Sequence, residues 1–291
     1  MLASPLIALL GLALVALTRP AALGAAVPVL ALWAAAPFVA HALSRPVPQR
    51  RRELGPEERA LFERVARDTW RYFEDFMGPD DHGLPADNFQ ETPEPRVAHR
   101  TSPTNIGMGL LSTLAAHDLG FISREVLARR IDATLTTMEG LERHEGHLLN
   151  WYDTQSLAPL LPRYVSTVDS GNLAGALMAL AEGLRQAELP DLASRAAAFA
   201  DGMGFRFLYD PQRRILSIGF RLADAEGPGR LDLSYYDLLA SEARLASFFA
   251  IAKGDVPQSH WFHLGRLVVS VSGVPTLVSW SATMFEYLMP L

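Results

Sequence analysis

The chain has 291 residues, 49% of them hydrophobic and 20% charged, with a formal net charge of -6. That length allows one large domain or two small ones, and the acidic balance argues against nucleic acid as a partner. Cysteine is absent and the eight histidines form no HExxH-type array, which excludes disulfides and thiolate metal sites and leaves no metal or cofactor expected.

Leu2 to Thr18 and Ala21 to Leu43 are two apolar runs separated by Arg19 and Pro20, and the second, of 23 residues, is long enough to cross a bilayer. Residues 1–45 are therefore expected to form a two-helix transmembrane hairpin. Pro28 and Pro37 are tolerated in membrane helices, and the first run lacks the basic start of a signal peptide. Arg45, Arg50, Arg51 and Arg52 lie beyond the second run, against the single Arg19 in the connecting turn. Residues 46–56 read as a basic linker, and the positive-inside rule places the remainder of the chain on the cytoplasmic side of an inner membrane, behind a multi-pass anchor.

From Gly55 onward the apolar spacing predicts helices over Glu57 to Met77, Thr104 to Asp118, Ser123 to Leu141, Gly171 to Gln186, Asp191 to Gly204 and Tyr236 to Lys253. Pro56 marks one start, Ser123 with Glu125 another, and Asp169 or Ser170 is expected to cap the Gly171 helix. Strand-like pieces are confined to Phe205 to Tyr209, Ile215 to Phe220 and Leu267 to Val271, with Asp210-Pro211 as a turn.

The helices alternate in character. Those beginning near 104, 171 and 236 are rich in Gly, Ala and Leu, whereas their neighbours carry charge on one face. Interior helices thus recur about every 65 residues, a helical repeat. The expected fold is all-α, an (α/α)6 toroid of glucoamylase type over 57–291. A fourth interior segment begins near Trp280, and the chain is expected to be truncated before the toroid closes.

Leu231 to Gly254 reads as one helix, apolar on nearly every side, with Asp237 and Glu242 set into it. Leu238 and Leu239 precede Glu242 by one turn and Leu245 and Ala246 come one turn after it, so no basic residue at helical spacing neutralises its carboxylate. Such a group persists either through an ion pair with a distant arginine or because a function needs it. The residues leave both open.

Polar and aromatic side chains cluster before each interior helix: Asp87 and Asn88, then Arg100 and Asn105; Trp151 and Tyr152, then Asp169 and Asn172; Tyr236 and Asp237; and Trp280 to Tyr287. Rings beside Asp, Asn and Arg suit a sugar, whose C–H faces pack on aromatics while its hydroxyls need donors and acceptors. Taken singly, Asp169 and Asp237 are ordinary caps and the aromatics ordinary core; their recurrence at one end of successive helices favours a site. No P-loop or GxGxxG is present. His99, His144, His147, His260 and His263 read as hydrogen-bonding residues, and Ser241 and Ser281 lack a triad histidine.

At these same residues the chain resembles a known family. HRTSPTNIGMGLLSTLAAHDLG (99–120), NWYDTQSLAPLLPRYVSTVDSGNLAGAL (150–177), SYYDLLASEARLASFFAIAKGDVPQSHWF (234–262) and SWSATMFEYLMP (279–290) resemble the glycoamylase-like middle domain of cyclic β-1,2-glucan synthases. The resemblance implies an (α/α)6 barrel that cyclises linear β-1,2-glucan by retaining transglycosylation. It also implies partner modules in the same synthase, a glycosyltransferase before it and a phosphorylase-like domain after it.

By this resemblance Glu242, in SEAR, is the first catalytic candidate, as nucleophile or acid/base. The family's second glutamate lies in a later Ser-Glu-Ser segment that this chain lacks, so Glu286 is the in-chain candidate. Asp87, Arg100, Asn105, Trp151, Tyr152, Asp169, Asn172, Tyr236 and Asp237 are expected to contact glucan. Ala282 departs from the family's SWSG turn. Retention needs two carboxyls about 5 to 5.5 Å apart, the acid with a raised pKa. The alternatives are an endo-β-1,2-glucanase and a non-catalytic, membrane-tethered glucan-binding module.

Overall fold

A computed structural model describes residues 3–45, 53–225 and 227–288, which divide into two units, Met1–Arg59 and Ala60–Leu291.

In the first unit, α1 (Ala3–Thr18) and α2 (Leu23–Leu43) are joined by a single 3-10 turn and pack together, with Gly11 set against Leu30. Their side chains otherwise face outward, and only Ala8 is buried. The segment Pro20–Leu43 is long and apolar enough to cross a membrane. At 16 residues α1 falls short of the roughly 20 that a span requires. The expected pair of full spans is thus narrowed to one candidate span at the N-terminus. Arg50, Arg51, Arg52 and most of the expected linker lie outside the described residues.

The rest is mostly helical: α3 (Pro56–Asp75), α4 (Pro103–Asp118), α5 (Arg124–Gly140), α6 (Thr167–Gln186), α7 (Pro190–Gly202), α8 (Arg244–Lys253), α9 (Ser259–His263) and α10 (Met284–Leu288). Helix starts are satisfied locally. The hydroxyls of Ser102, Ser123 and Ser166 accept the amides of Asn105, Val126 and Asp169, and Pro56 opens α3. Ser166 therefore caps α6 one turn earlier than expected of Asp169 or Ser170. Gly254, at φ 80°, closes α8 in the left-handed conformation.

The helices form two layers. α6 packs against both α4 and α8, while α7 packs against α6 and α5, and α5 against α4. Small residues let the inner helices approach: a Cβ on Gly107 would lie 3.0 Å from that of Ala176, and one on Gly171 would lie 2.4 Å from that of Ala246. Ile106, Leu110, Leu173, Leu177 and Leu180 fill the space between the layers with Ile131 and Leu135. On the solvent side Arg195 of α7 bridges Asp132 and Glu139 of α5. This inner-outer alternation is the one the composition predicted, but no closed ring is formed among the described residues.

The third inner helix is shorter than expected. It begins at Arg244, because the preceding backbone is drawn into extended pairing: Tyr236 N donates to Leu216 O at 3.0 Å and Leu239 N to Gly265 O at 3.0 Å. Amides used this way are unavailable to a helix. Phe205–Leu208 is a 3-10 turn rather than a strand. Short strands stand at the N-terminal end of α6, where Gly219–Arg221 pairs antiparallel with both Tyr164–Ser166 and Arg230–Leu231. Val268–Val271 and Val274–Leu277 form a hairpin that leads into Trp280.

Candidate active site

The loops preceding the inner helices carry one network each. Before α4, the Asp87 carboxylate accepts Arg100 Nε and Nη2 (3.0 and 2.8 Å), Asn105 Nδ2 (3.2 Å) and Asn88 Nδ2 (2.9 Å). The Arg100 guanidinium lies 5.3 Å above the Trp151 ring. Asn172 Nδ2 of α6 donates to Thr104 Oγ1 at 3.1 Å, joining this end of α6 to α4, while its buried Oδ1 has no partner.

Before α8 lies a cavity of about 490 Å3, lined among others by Tyr236, Ser241, Glu242, Trp280, Thr283 and Glu286. Since the helix begins later than predicted, Glu242 sits in the turn that leads into α8. Its carboxylate receives no hydrogen bond and faces no arginine or lysine among the described residues. Burial, and then the charges of Asp169 and Glu286, hold it above the ordinary glutamate range. Tyr236 is raised by burial and by the charges of Glu242 and Asp169. Tyr164 is raised by burial and by Asp232, to which its hydroxyl donates at 3.3 Å. Carboxylates and phenols here thus share one electrostatic field.

Glu286 has the opposite environment. Thr283 caps α10 in a reciprocal box: Glu286 N donates to Thr283 Oγ1 and Thr283 N to Glu286 Oε2. The same carboxylate accepts the amides of Trp280 and Ser281 and the hydroxyls of Ser279 and Thr283. Burial pushes Glu286 upward, but these hydrogen bonds outweigh it and hold the group below its ordinary value. Both oxygens are saturated by local donors. Ala282, in the turn so held, has φ 53°.

Of the residues expected from sequence, Tyr236, Glu242 and Glu286 line this cavity, Asp237 is tied to it through Trp280, and Asp169 acts on it by charge. Asp87, Arg100, Asn105 and Trp151 form the separate group before α4. Tyr152 is corrected. It is 0% exposed, and its hydroxyl accepts Leu149 N and donates to Glu142 O, so it braces the loop from within and offers no surface for contact. Tyr164 and Asp232 were not foreseen. They come together only through the pairing of Arg221 with both Tyr164 and Arg230, a long-range register that no local spacing announces.

Comparison with known proteins places these features in context. The family model described as "Protein of unknown function (DUF3131)" matches residues 64–176. The chain is homologous to the cyclic β-(1,2)-glucan synthase NdvB of Rhizobium meliloti (strain 1021), at 34% identity over 99% of this chain and 14% of the synthase; it spans about one seventh of that relative. Among solved structures, a glucoamylase-like protein from Bacteroides fragilis NCTC 9343 superposes with a TM-score of 0.64 (18% identity, 82% of this chain, 60% of that one). The endo-β-1,2-glucanase of Chitinophaga pinensis, in complex with sophorotriose and glucose, gives 0.60 (15%, 79% and 57%). That of Talaromyces funiculosus, with sophorose, gives 0.55 (14%, 72% and 51%). The fold is glucoamylase-like.

Proposed function

We propose that this homologue of cyclic β-(1,2)-glucan synthase is a glucoamylase-like domain, residues 57–291, that acts on β-1,2-glucan, and that its reaction is the retaining transglycosylation that closes linear chains into rings. The observation that carries the reading is Glu242: a half-buried carboxyl without a basic partner among the described residues, raised by its surroundings and open to a cavity walled by Tyr236 and Trp280. The homology supports the substrate class. The two-layer packing of α4 to α8 is consistent with part of an (α/α)6 barrel.

Glu242 is the general acid in this scheme. Its carboxyl, raised by desolvation and by two neighbouring negative charges, gives its proton to the glycosidic oxygen as that oxygen leaves the anomeric carbon and a second carboxylate bonds to that carbon. An acceptor sugar hydroxyl then displaces that carboxylate and returns its proton to Glu242, the second carboxylate being the later glutamate that the family resemblance implies. Tyr236 and Trp280 offer ring faces to the sugar. Of the two carboxylates acting on Glu242, Glu286 has its lone pairs engaged by the Ser279–Thr283 turn, whereas the Asp169 carboxylate takes part in no hydrogen bond among the described residues. We therefore assign Asp169 to the negative field that holds the proton on Glu242, and Glu286 to positioning.

Hydrolysis is the second reading, favoured by the likeness to endo-β-1,2-glucanases. Incubation with linear β-1,2-glucan separates the two: rings support transfer, short linear products support hydrolysis, and binding without turnover that is indifferent to Glu242→Gln supports the binding-module alternative. The apolar helices are proposed to anchor the domain to the cytoplasmic face of the inner membrane as a hairpin. Protease accessibility in oriented vesicles checks the side.

A further inference from the structure

A second cavity lies at the same end of the inner layer, beside α4 rather than α8. It measures about 810 Å3, and its lining includes Asn88, Gln90, Arg96, His99, Arg100 and Asp153. The walls are fixed. Phe89–Gln90 pairs with Arg96–Val97, and Phe89 stacks on Phe76 with ring centroids 4.9 Å apart. Arg100–Thr101 pairs with Tyr152–Asp153, and Arg100 is pinned by Asp87.

Its chemistry is that of a neutral, hydroxyl-rich ligand. Arg96, Arg100 and the Gln90 amide supply donors. The Asn88 carbonyl and Asp153 supply acceptors: Asp153 Oδ1 is taken by Gln155 and Ser156, and Oδ2 by nothing among the described residues. The two arginines are balanced by Asp87 and Asp153, so no net positive charge selects an anion. Trp151 lies beneath Arg100 at the margin.

The cavity is remote from Glu242. Its lining shares no residue with the cavity at Glu242, and the helices the two cavities precede, α4 and α8, each pack against α6; with helices about 8–10 Å apart, two helix spacings put the sites up to roughly 16–20 Å from each other. That exceeds the reach of a single sugar ring.

We propose that this cavity is a distal holding subsite, gripping the glucan several sugars away from the bond that reacts at Glu242. The inference rests on the β-1,2-glucan reading above. Long chains fill both sites and short ones only the reacting site, so binding energy gathered at a distance serves long substrates alone.

The test is titration calorimetry with a length series of linear β-1,2-glucans on the full chain carrying Glu242→Gln, which holds ligand without turning it over. Affinity is expected to rise with chain length, and Gln90→Ala together with Arg96→Ala to weaken the longest chains about ten-fold, the loss of one or two hydrogen bonds to a charged partner. The effect on the shortest ligands is expected to be small. Gln90 and Arg96 are exposed, so the fold tolerates both changes, and an unchanged melting curve verifies it. Affinity that ignores length, or a loss equal at every length, overturns the distal subsite and leaves the reacting site standing. No binding of any glucan overturns both.

Discussion

The indole of Trp280 lies on the ring of Tyr236, centroids 5.4 Å apart and planes 24° from parallel, while its Nε1 donates to Asp237 Oδ1 at 2.8 Å. One side chain thus ties the Ser279–Thr283 turn to the segment before α8, across the cavity that Glu242 enters. Glu286 holds that turn from below. Glu286→Gln replaces one acceptor oxygen with a donor facing backbone amides, and the aromatic wall loosens. KM is expected to rise several-fold with a smaller fall in kcat. A collapse of kcat at unchanged KM would instead mark Glu286 as a reacting group.

Glu242→Gln removes the proton donor, and the rate on linear β-1,2-glucan is expected to fall about 10²–10⁴-fold. The same change affects stability with a definite sign. A carboxyl raised in the folded state costs stability as pH climbs from its unfolded value through its folded one. The neutral amide avoids that cost, so the variant melts higher than the parent at pH 7, and the difference vanishes in acid. Thermal melts at two pH values decide it.

Asp169→Asn removes one of the charges that keep Glu242 protonated. The acid works only while it holds its proton, so activity declines as pH rises past its pKa. In the variant that decline moves to lower pH. The pH dependence of kcat/KM reports it, and an unmoved alkaline limb would separate Asp169 from the acid.

His147 is 0% exposed, its Nε2 donates to Gly204 O at 3.0 Å, and its Nδ1 is buried without a partner. Burial lowers its pKa to about 4 from the 6.5 of an exposed imidazole. The neutral ring is therefore favoured in the folded state, and the stability it contributes is complete above pH 6.5 and lost as pH falls toward 4. Urea unfolding across this window is expected to show uptake of about one extra proton. His147→Gln, which keeps a donor for Gly204 but does not titrate, flattens that slope.

Gly171→Ala places a Cβ 2.4 Å from Ala246 Cβ and 2.6 Å from its Cα, and no rotamer relieves a backbone clash. A destabilisation of about 1–3 kcal/mol is expected from forcing α6 and α8 apart. Because α8 begins two residues after Glu242, activity should fall alongside stability. Denaturant melts and a rate assay together check this.

How much of this was legible in the chain depends on how local each feature is. The 3.6-residue period and the Ser and Pro starts placed α3 to α7 within a few residues, since a helix is built from contacts three and four residues apart. The Gly- and Ala-rich character of Gly107 and Gly171 marked the inner layer, because only small residues let helices approach so closely. The polar loops before each inner helix were visible as composition. Tertiary pairing decided the rest. The strand contacts of Tyr236 and Leu239 with Leu216 and Gly265 ended the expected helix early and left Glu242 in a turn beside a cavity. The fold buried Tyr152 and saturated Glu286. For Tyr236, Leu239 and Glu242 the deciding partners are distant in the sequence, whereas Tyr152 and Glu286 are held by neighbours three to ten residues away whose turns only the folded backbone closes: periodicity records which residues share a face, and a carboxylate's protonation is governed by what the folded chain brings against it.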